Sequence, residues 1–206
     1  MNDSMAAIEK NIESRNVRDR IMWFSMWFLL TIVTFGAVGS FMMYYLVKRR
    51  NGHFERTAEL QKLILEQPRK VPSEKGPGLH AGSSEFPKLT VRSRNALAWA
   101  ILSLLIFPTM YILYFLTKDL QEHKESEHSL FAGIILMFPN FNMNLPMDNF
   151  EISKSTWRTY LILTVLTLGF MSVYWLYRIF NDYNYHFKMQ WKLEDYLLMR
   201  LRNACP

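Results

Sequence analysis

With 206 residues, half of them hydrophobic, and a formal net charge of +6, the chain is long enough for one domain and basic enough to seek an anionic counterpart. Three uncharged apolar runs alternate with charged connectors, so the basic excess adjoins apolar sequence and points to an anionic lipid headgroup surface rather than to nucleic acid. A single cysteine, Cys205, excludes an intrachain disulfide framework and a multi-cysteine metal site.

Residues 1–20 read as a polar N-terminal segment in which Ile8 and Ile12 offer too little apolar surface to build a core. No signal peptide is expected, because the first apolar run exceeds an h-region and lacks a small-x-small cleavage site. Residues 21–66 form a first repeat. Its stretch Ile21–Val47 carries no charge over 27 residues, which as a helix would span about 40 Å, longer than the ~30 Å hydrocarbon core of a bilayer. Trp23, Trp27, Tyr44 and Tyr45 sit near its ends like interfacial anchors, and Lys48-Arg49-Arg50 stops it. Phe54–Leu65 follows as an amphipathic tail.

Residues 67–93, rich in Pro and Gly, predict a flexible basic loop. The second repeat, 94–128, holds the uncharged stretch Ala96–Leu116, in which Pro108 should introduce a kink. Residues 129–153 predict an interfacial or re-entrant connector, since the apolar piece from Ser129 to Phe138 is too short to cross a bilayer. The third repeat, 154–206, contains Tyr160–Tyr177 and a tail with Met189, Leu193, Tyr196, Leu197 and Leu201 on one stripe, facing the membrane or the matching tail of the first repeat.

The repeats are in register. A shift of 133 positions superposes Thr31 on Thr164, Thr34 on Thr167, Gly36 on Gly169, Asn51 on Asn184, His53 on His186 and Phe54 on Phe187 without a gap. A weaker middle copy, 70 positions after the first, matches Tyr114 to Tyr44, Lys118 to Lys48 and His123 to His53. The expected fold is therefore all-α: an integral membrane protein with three transmembrane helices from three degenerate repeats. Lys and Arg divide 16 to 8 between the two sides of such a layout, which favours an outside N-terminus and a cytoplasmic C-terminus in the cell membrane. A rival geometry bends each repeat into a hairpin near Gly36, Pro108 or Gly169 and leaves all three tails on one side.

No ionisable group lies inside the apolar runs, which disfavours a pump or proton-coupled carrier. Their hydroxyls, among them Thr31, Thr34, Ser103, Thr109, Thr164 and Thr167, suit helix packing. No nucleophile elbow, phosphate loop or dinucleotide fingerprint occurs. Histidines are the available metal donors. His123 and His128 are five apart and do not share a helical face, however, and three crossings would put His123 across the membrane from His53 and His186. No catalytic, cofactor-binding or metal residue is assigned on this basis, and no cofactor is expected. Phe54 and Phe187 are expected to anchor surface helices at the membrane interface, with the histidines bonding backbone or headgroups.

The stretch Thr164-Val165-Leu166-Thr167-Leu168-Gly169, continued by Ser172-Val173-Tyr174-Trp175-Leu176-Tyr177-Arg178, resembles a family of small prokaryotic multi-pass membrane proteins of unknown function. Their pattern is Thr-Leu-Gly-Ile-Tyr…Tyr-Trp-Leu-Tyr-Lys with an Asp-Leu-x-x-His tail, matched here by Asp119-Leu120-Gln121-Glu122-His123. The resemblance implies membrane insertion and a prokaryotic source, and carries no catalytic residues over. The functional expectation is a non-catalytic accessory or scaffolding subunit of a membrane complex that works through helix packing with other subunits. The alternative is a small oligomeric transporter or channel.

Overall fold

Each apolar run folds back on itself. The computed structural model describes residues 2–66, 93–137 and 157–204. The helices among them are α1 (Asn2–Glu13), α2 (Arg15–Arg18), α3 (Phe24–Val33), α4 (Ala37–Glu66), α5 (Ala96–Leu102), α6 (Ile106–Met137), α7 (Trp157–Leu166) and α8 (Phe170–Ala204). Three hairpins result, each pairing a short arm (α3, α5, α7) with a long helix (α4, α6, α8).

The first and third bends share one construction. Phe35 and Leu168 adopt φ of 49° and 51°, followed by Gly36 and Gly169 at 93° and 98°. The Gly36 N–H donates to Thr31 O at 2.7 Å and the Gly169 N–H to Thr164 O at 2.8 Å, the six-to-one bond of a Schellman closure. Thr34 and Thr167 then accept from Val38 and Met171 N–H at 3.1 and 3.0 Å, starting the next helix. The second bend falls at 103–105, ahead of Pro108. Proline there occupies the first turn of α6, where its missing N–H costs nothing, so the expected kink at Pro108 does not form.

No helix among the described residues is long and apolar enough to cross a membrane. This overturns the expected three-transmembrane-helix architecture, the multi-pass placement in the cell membrane and the outside-to-cytoplasm orientation. The cause is the pair of Schellman closures and the Ser103–Leu105 bend, which cut each apolar run into arms of about 10–18 Å. Lys48-Arg49-Arg50 does not end a helix either: α4 continues through it, with Arg50 paired to Asp119 at 2.8 Å and Arg49 stacked near Tyr183. Helix α6 likewise runs on to Met137, so the first part of the expected connector extends a long helix. The rest of that connector and the Pro/Gly loop from 67 to 92 lie outside the described residues, as does Cys205.

The long helices run parallel, and their seam positions recur at intervals of three and four residues, the spacing of coiled-coil layers. Repeat-equivalent residues stack in order: Leu46, Leu116 and Ile179; then Arg50, Leu120 and Tyr183; then His53, His123 and His186; then Thr57, Glu127 and Gln190; then Leu60, Leu130 and Leu193. All fifteen are buried. Burying each large aliphatic side chain contributes about 1.5–3 kcal/mol. Each short arm packs against its own long helix and the preceding one around the ring: α3 on α4 and α8, α5 on α6 and α4, α7 on α8 and α6.

Beyond the histidine layer, α1 closes the far end. Ile8 and Ile12 are buried in a cluster with Leu60, Ile64, Leu130, Leu193, Leu197 and Leu201. The N-terminal segment thus contributes to a core that its own sequence is too polar to form, because the two tails supply the complementary apolar face. Arg15 of α2 pairs with Asp195 of α8 at 2.7 Å and Glu9 of α1 with Arg202 of α8 at 2.7 Å, which ties both N-terminal helices to the last one.

Candidate metal centre

Seventeen residues separate Gly36 from His53 and Gly169 from His186, so equal helix lengths bring both rings to one level. The middle repeat places His123 beside them. Ring centroids lie 5.0 Å apart for His53–His186, 5.2 Å for His53–His123 and 5.5 Å for His123–His186. The separation of His123 from its equivalents across a membrane is therefore overturned: with each repeat bent, all three tails emerge together. Glu127, one turn beyond His123 on α6, completes a buried set of four donors whose ligand atoms all lie within 4.8 Å of one another.

Three of the donor separations are those of a shared ion. His53 Nε2 is 3.1 Å from His186 Nε2, His123 Nε2 is 3.2 Å from Glu127 Oε1, and His186 Nε2 is 3.5 Å from Glu127 Oε2. Metal–nitrogen bonds of about 2.0–2.1 Å in a tetrahedron put neighbouring donors about 3.4 Å apart. His123 Nε2 and Glu127 Oε2 are buried with no hydrogen-bond partner, an arrangement that is costly unless another group meets them.

A second layer of contacts orients the donors. Asp19 Oδ1 lies 2.9 Å from His53 Nδ1. Burial alone would raise the Asp19 carboxyl, but His53, Arg56 and Trp191 outweigh it and hold the group at about 2. An ionised Asp19 requires Nδ1–H on His53, which leaves Nε2 as a lone pair facing the cluster; this is the carboxylate–histidine arrangement that sets ligand tautomers in metal sites. Arg56 Nη2 and Trp191 Nε1 donate to Asp19 Oδ2 at 2.6 and 2.9 Å, and Arg56 Nη1 pairs with Glu194 at 2.8 Å. Burial lowers both His53, against the opposing pull of Asp19, and His186, and so favours the neutral imidazole, the form that binds metals. A divalent ion would be balanced by Glu127 and Asp19.

The Asn-x-His-Phe motifs divide this work. Asn184 Nδ2 donates to Met22 O at 2.6 Å and its Oδ1 accepts from Met22 N–H at 3.2 Å, clasping the backbone that leads into α3. Asn51 clasps Arg94 before α5 in the same way, at 2.6 and 3.3 Å. Phe54 stacks on His123 with centroids 4.1 Å apart, and Phe187 lies 4.3 Å from His53. Both phenylalanines are buried in the bundle, which corrects their expected place at a membrane interface. His53 bonds His186 and Asp19, and His123 and His186 face Glu127, so the histidines meet one another and carboxylates rather than headgroups.

Sequence reasoning missed Asp19, Arg56, Glu127, Trp191 and Glu194. For Glu127 a signal exists: His123 and Glu127 are four apart and share a helical face, whereas His128 does not. Asp19 is one charge among several in the polar segment 1–20, and only the fold shows it 1% exposed. A cleft of about 240 Å³ lined in part by Arg50, Arg94, Lys118, Glu122 and Ser126 borders His123 and offers an approach from outside. Comparisons with known protein families, with curated proteins and with solved structures give no match to this chain, so the geometry alone supports any functional reading.

Proposed function

We propose that the chain is a non-catalytic, metal-stabilised scaffold, in which one divalent first-row ion, zinc foremost, ties three helical hairpins together. The carrying observation is that repeat-equivalent His53, His123 and His186 meet in one buried layer with Glu127. Three imidazoles and a carboxylate suit zinc. Four protein donors would fill a tetrahedral ion and leave no position for a substrate, which favours a structural role over catalysis. The likeness of Thr164–Arg178 to prokaryotic proteins of unknown function belongs to this proposal, as does a place beside other subunits.

Thermal unfolding of tag-free protein in mild detergent, with zinc and after chelation, tests the reading. An ion that binds only the folded chain adds about 2.7 kcal/mol at a hundredfold excess over Kd, so zinc should raise Tm and a chelator should lower it. Equal Tm with zinc and with chelator, in protein retaining less than a tenth of an equivalent of metal, overturns the proposal.

A further inference from the structure

The three hairpin bends lie at one end of the molecule, on the side of the histidine layer away from α1. Their tips are apolar and uncovered: Phe35 is 100% exposed, Leu168 91%, Phe107 88% and Phe170 83%. An exposed apolar patch built from three separate hairpins marks an interaction surface. Phe35 and Leu168 also hold positive φ while projecting outward, a conformation unfavourable for bulky side chains.

We propose that these tips seat in one leaflet of a lipid bilayer whose headgroups are anionic. The inference rests on the hairpins and stands whether or not an ion is bound. First, the backbone of the bends is satisfied from within. The hydroxyls of Thr34, Thr109 and Thr167 donate to Leu30 O, Leu105 O and Leu163 O at 2.7, 2.9 and 2.7 Å, alongside the Schellman bonds of Gly36 and Gly169. Closures of this kind also end helices in water, but in hydrocarbon they are a requirement, and these bends meet it.

Second, the depth fits. From Gly36 to Lys48 a helix rises about 18 Å, close to half of a ~30 Å hydrocarbon core. Stretches 21–47, 95–117 and 159–177 carry no charged residue. Third, the boundary has the composition of a headgroup zone. Tyr44, Tyr45 and Trp157 sit where the apolar arms end, with Lys48, Arg20 and Arg158 stacked on them at 5.5, 4.9 and 5.5 Å. Amphipathic aromatics and cations at this level match an anionic surface. Lys118 and Arg178 add to the collar and are paired with Glu122 and Asp182.

The test uses the full chain with Cys205→Ser and a single cysteine at Phe35→Cys or Leu168→Cys, labelled with a polarity-sensitive fluorophore. Vesicles of phosphatidylcholine with phosphatidylglycerol should blue-shift both labels, and a nitroxide near the acyl-chain end should quench them more than one near the headgroup. Flotation should weaken at least tenfold without phosphatidylglycerol, and tenfold in F35D/F107D/L168D, with helical circular dichroism retained in that variant. Three outcomes overturn the proposal. The labels stay in water and the protein fails to float. An impermeant thiol reagent reaches the unlabelled cysteines from the vesicle lumen, which means crossing. The tips are shielded without lipid in a stable oligomer, which assigns the face to a second copy.

Discussion

The Nε2 atoms of His53 and His186 lie 3.1 Å apart although 133 residues separate them in the chain. Because the Nδ1–H of His53 donates to the ionised Asp19, the two Nε2 atoms either share one proton or face a common ion. Replacing His186 with Gln keeps a polar group in a layer that adjoins Gln190 but removes a donor. His186→Gln should weaken zinc binding at least a hundredfold in competition with a chromophoric chelator, and His53→Gln and His123→Gln should do the same.

Asp19→Asn leaves all four donors in place and removes the charge that fixes the His53 tautomer. Loss of such a partner typically costs 10–100-fold in metal affinity. The expected outcome is a shift of that size in the same competition assay, with one ion still bound per chain. An unchanged affinity would show that His53 is not oriented through Asp19.

Glu194 gives the fold a pH dependence on its alkaline side. Burial raises its carboxyl from the usual 4.5 to about 7, against the opposing pull of Arg56. The folded state therefore binds more protons than the unfolded state between those values. The resulting stability is fully present below about 4.5 and lost as pH rises through about 7, by about 3 kcal/mol. Asp19 acts oppositely, since a carboxyl held at about 2 contributes stability above its usual value and loses it as pH falls toward 2. Urea unfolding of the Glu194→Gln variant should show a flatter profile from pH 5 to pH 8 than the parent chain.

Phe187 is fully buried between Tyr183 and the His53 ring. Phe187→Ala should cost about 3–5 kcal/mol of global stability. A surface anchor would behave differently, loosening only the tail after it. Hydrogen exchange separates the two, because a core role accelerates exchange in α4 and α6 as well as in α8.

The helical character and the repeat register were legible in the sequence, whereas the topology and the site were not, for physical reasons. Residues aligned by the shifts of 133 and 70 positions share layers in the bundle. Of the two faces left open to the Leu193, Leu197 and Leu201 stripe, the membrane or the first repeat's tail, the structure shows the stripe clustered with Leu60 and Ile64. Length misled at the bends. An uncharged run from Ile21 to Val47 satisfies the rule for a spanning helix, yet a Thr-Phe-Gly at its centre closes the helix. Two copies of Thr-x-Gly at equivalent positions, Thr34–Gly36 and Thr167–Gly169, were the available sign. The topology error then hid the site, since a straight second repeat sends His123 to the opposite end from His53 and His186. Asp19 and Arg56 were unreadable because their meaning depends on contacts between separate parts of the chain.

The most direct measurement is a titration of the metal-free chain with Co²⁺, followed in the visible region where nitrogen- and oxygen-ligated tetrahedral cobalt absorbs. The expected result is saturation at one ion per chain, displaced by zinc, and no such band in the helical triple variant H53Q/H123Q/H186Q. A band of equal strength in that variant, or none in the parent chain, would contradict the convergence of the three repeats on a metal ion.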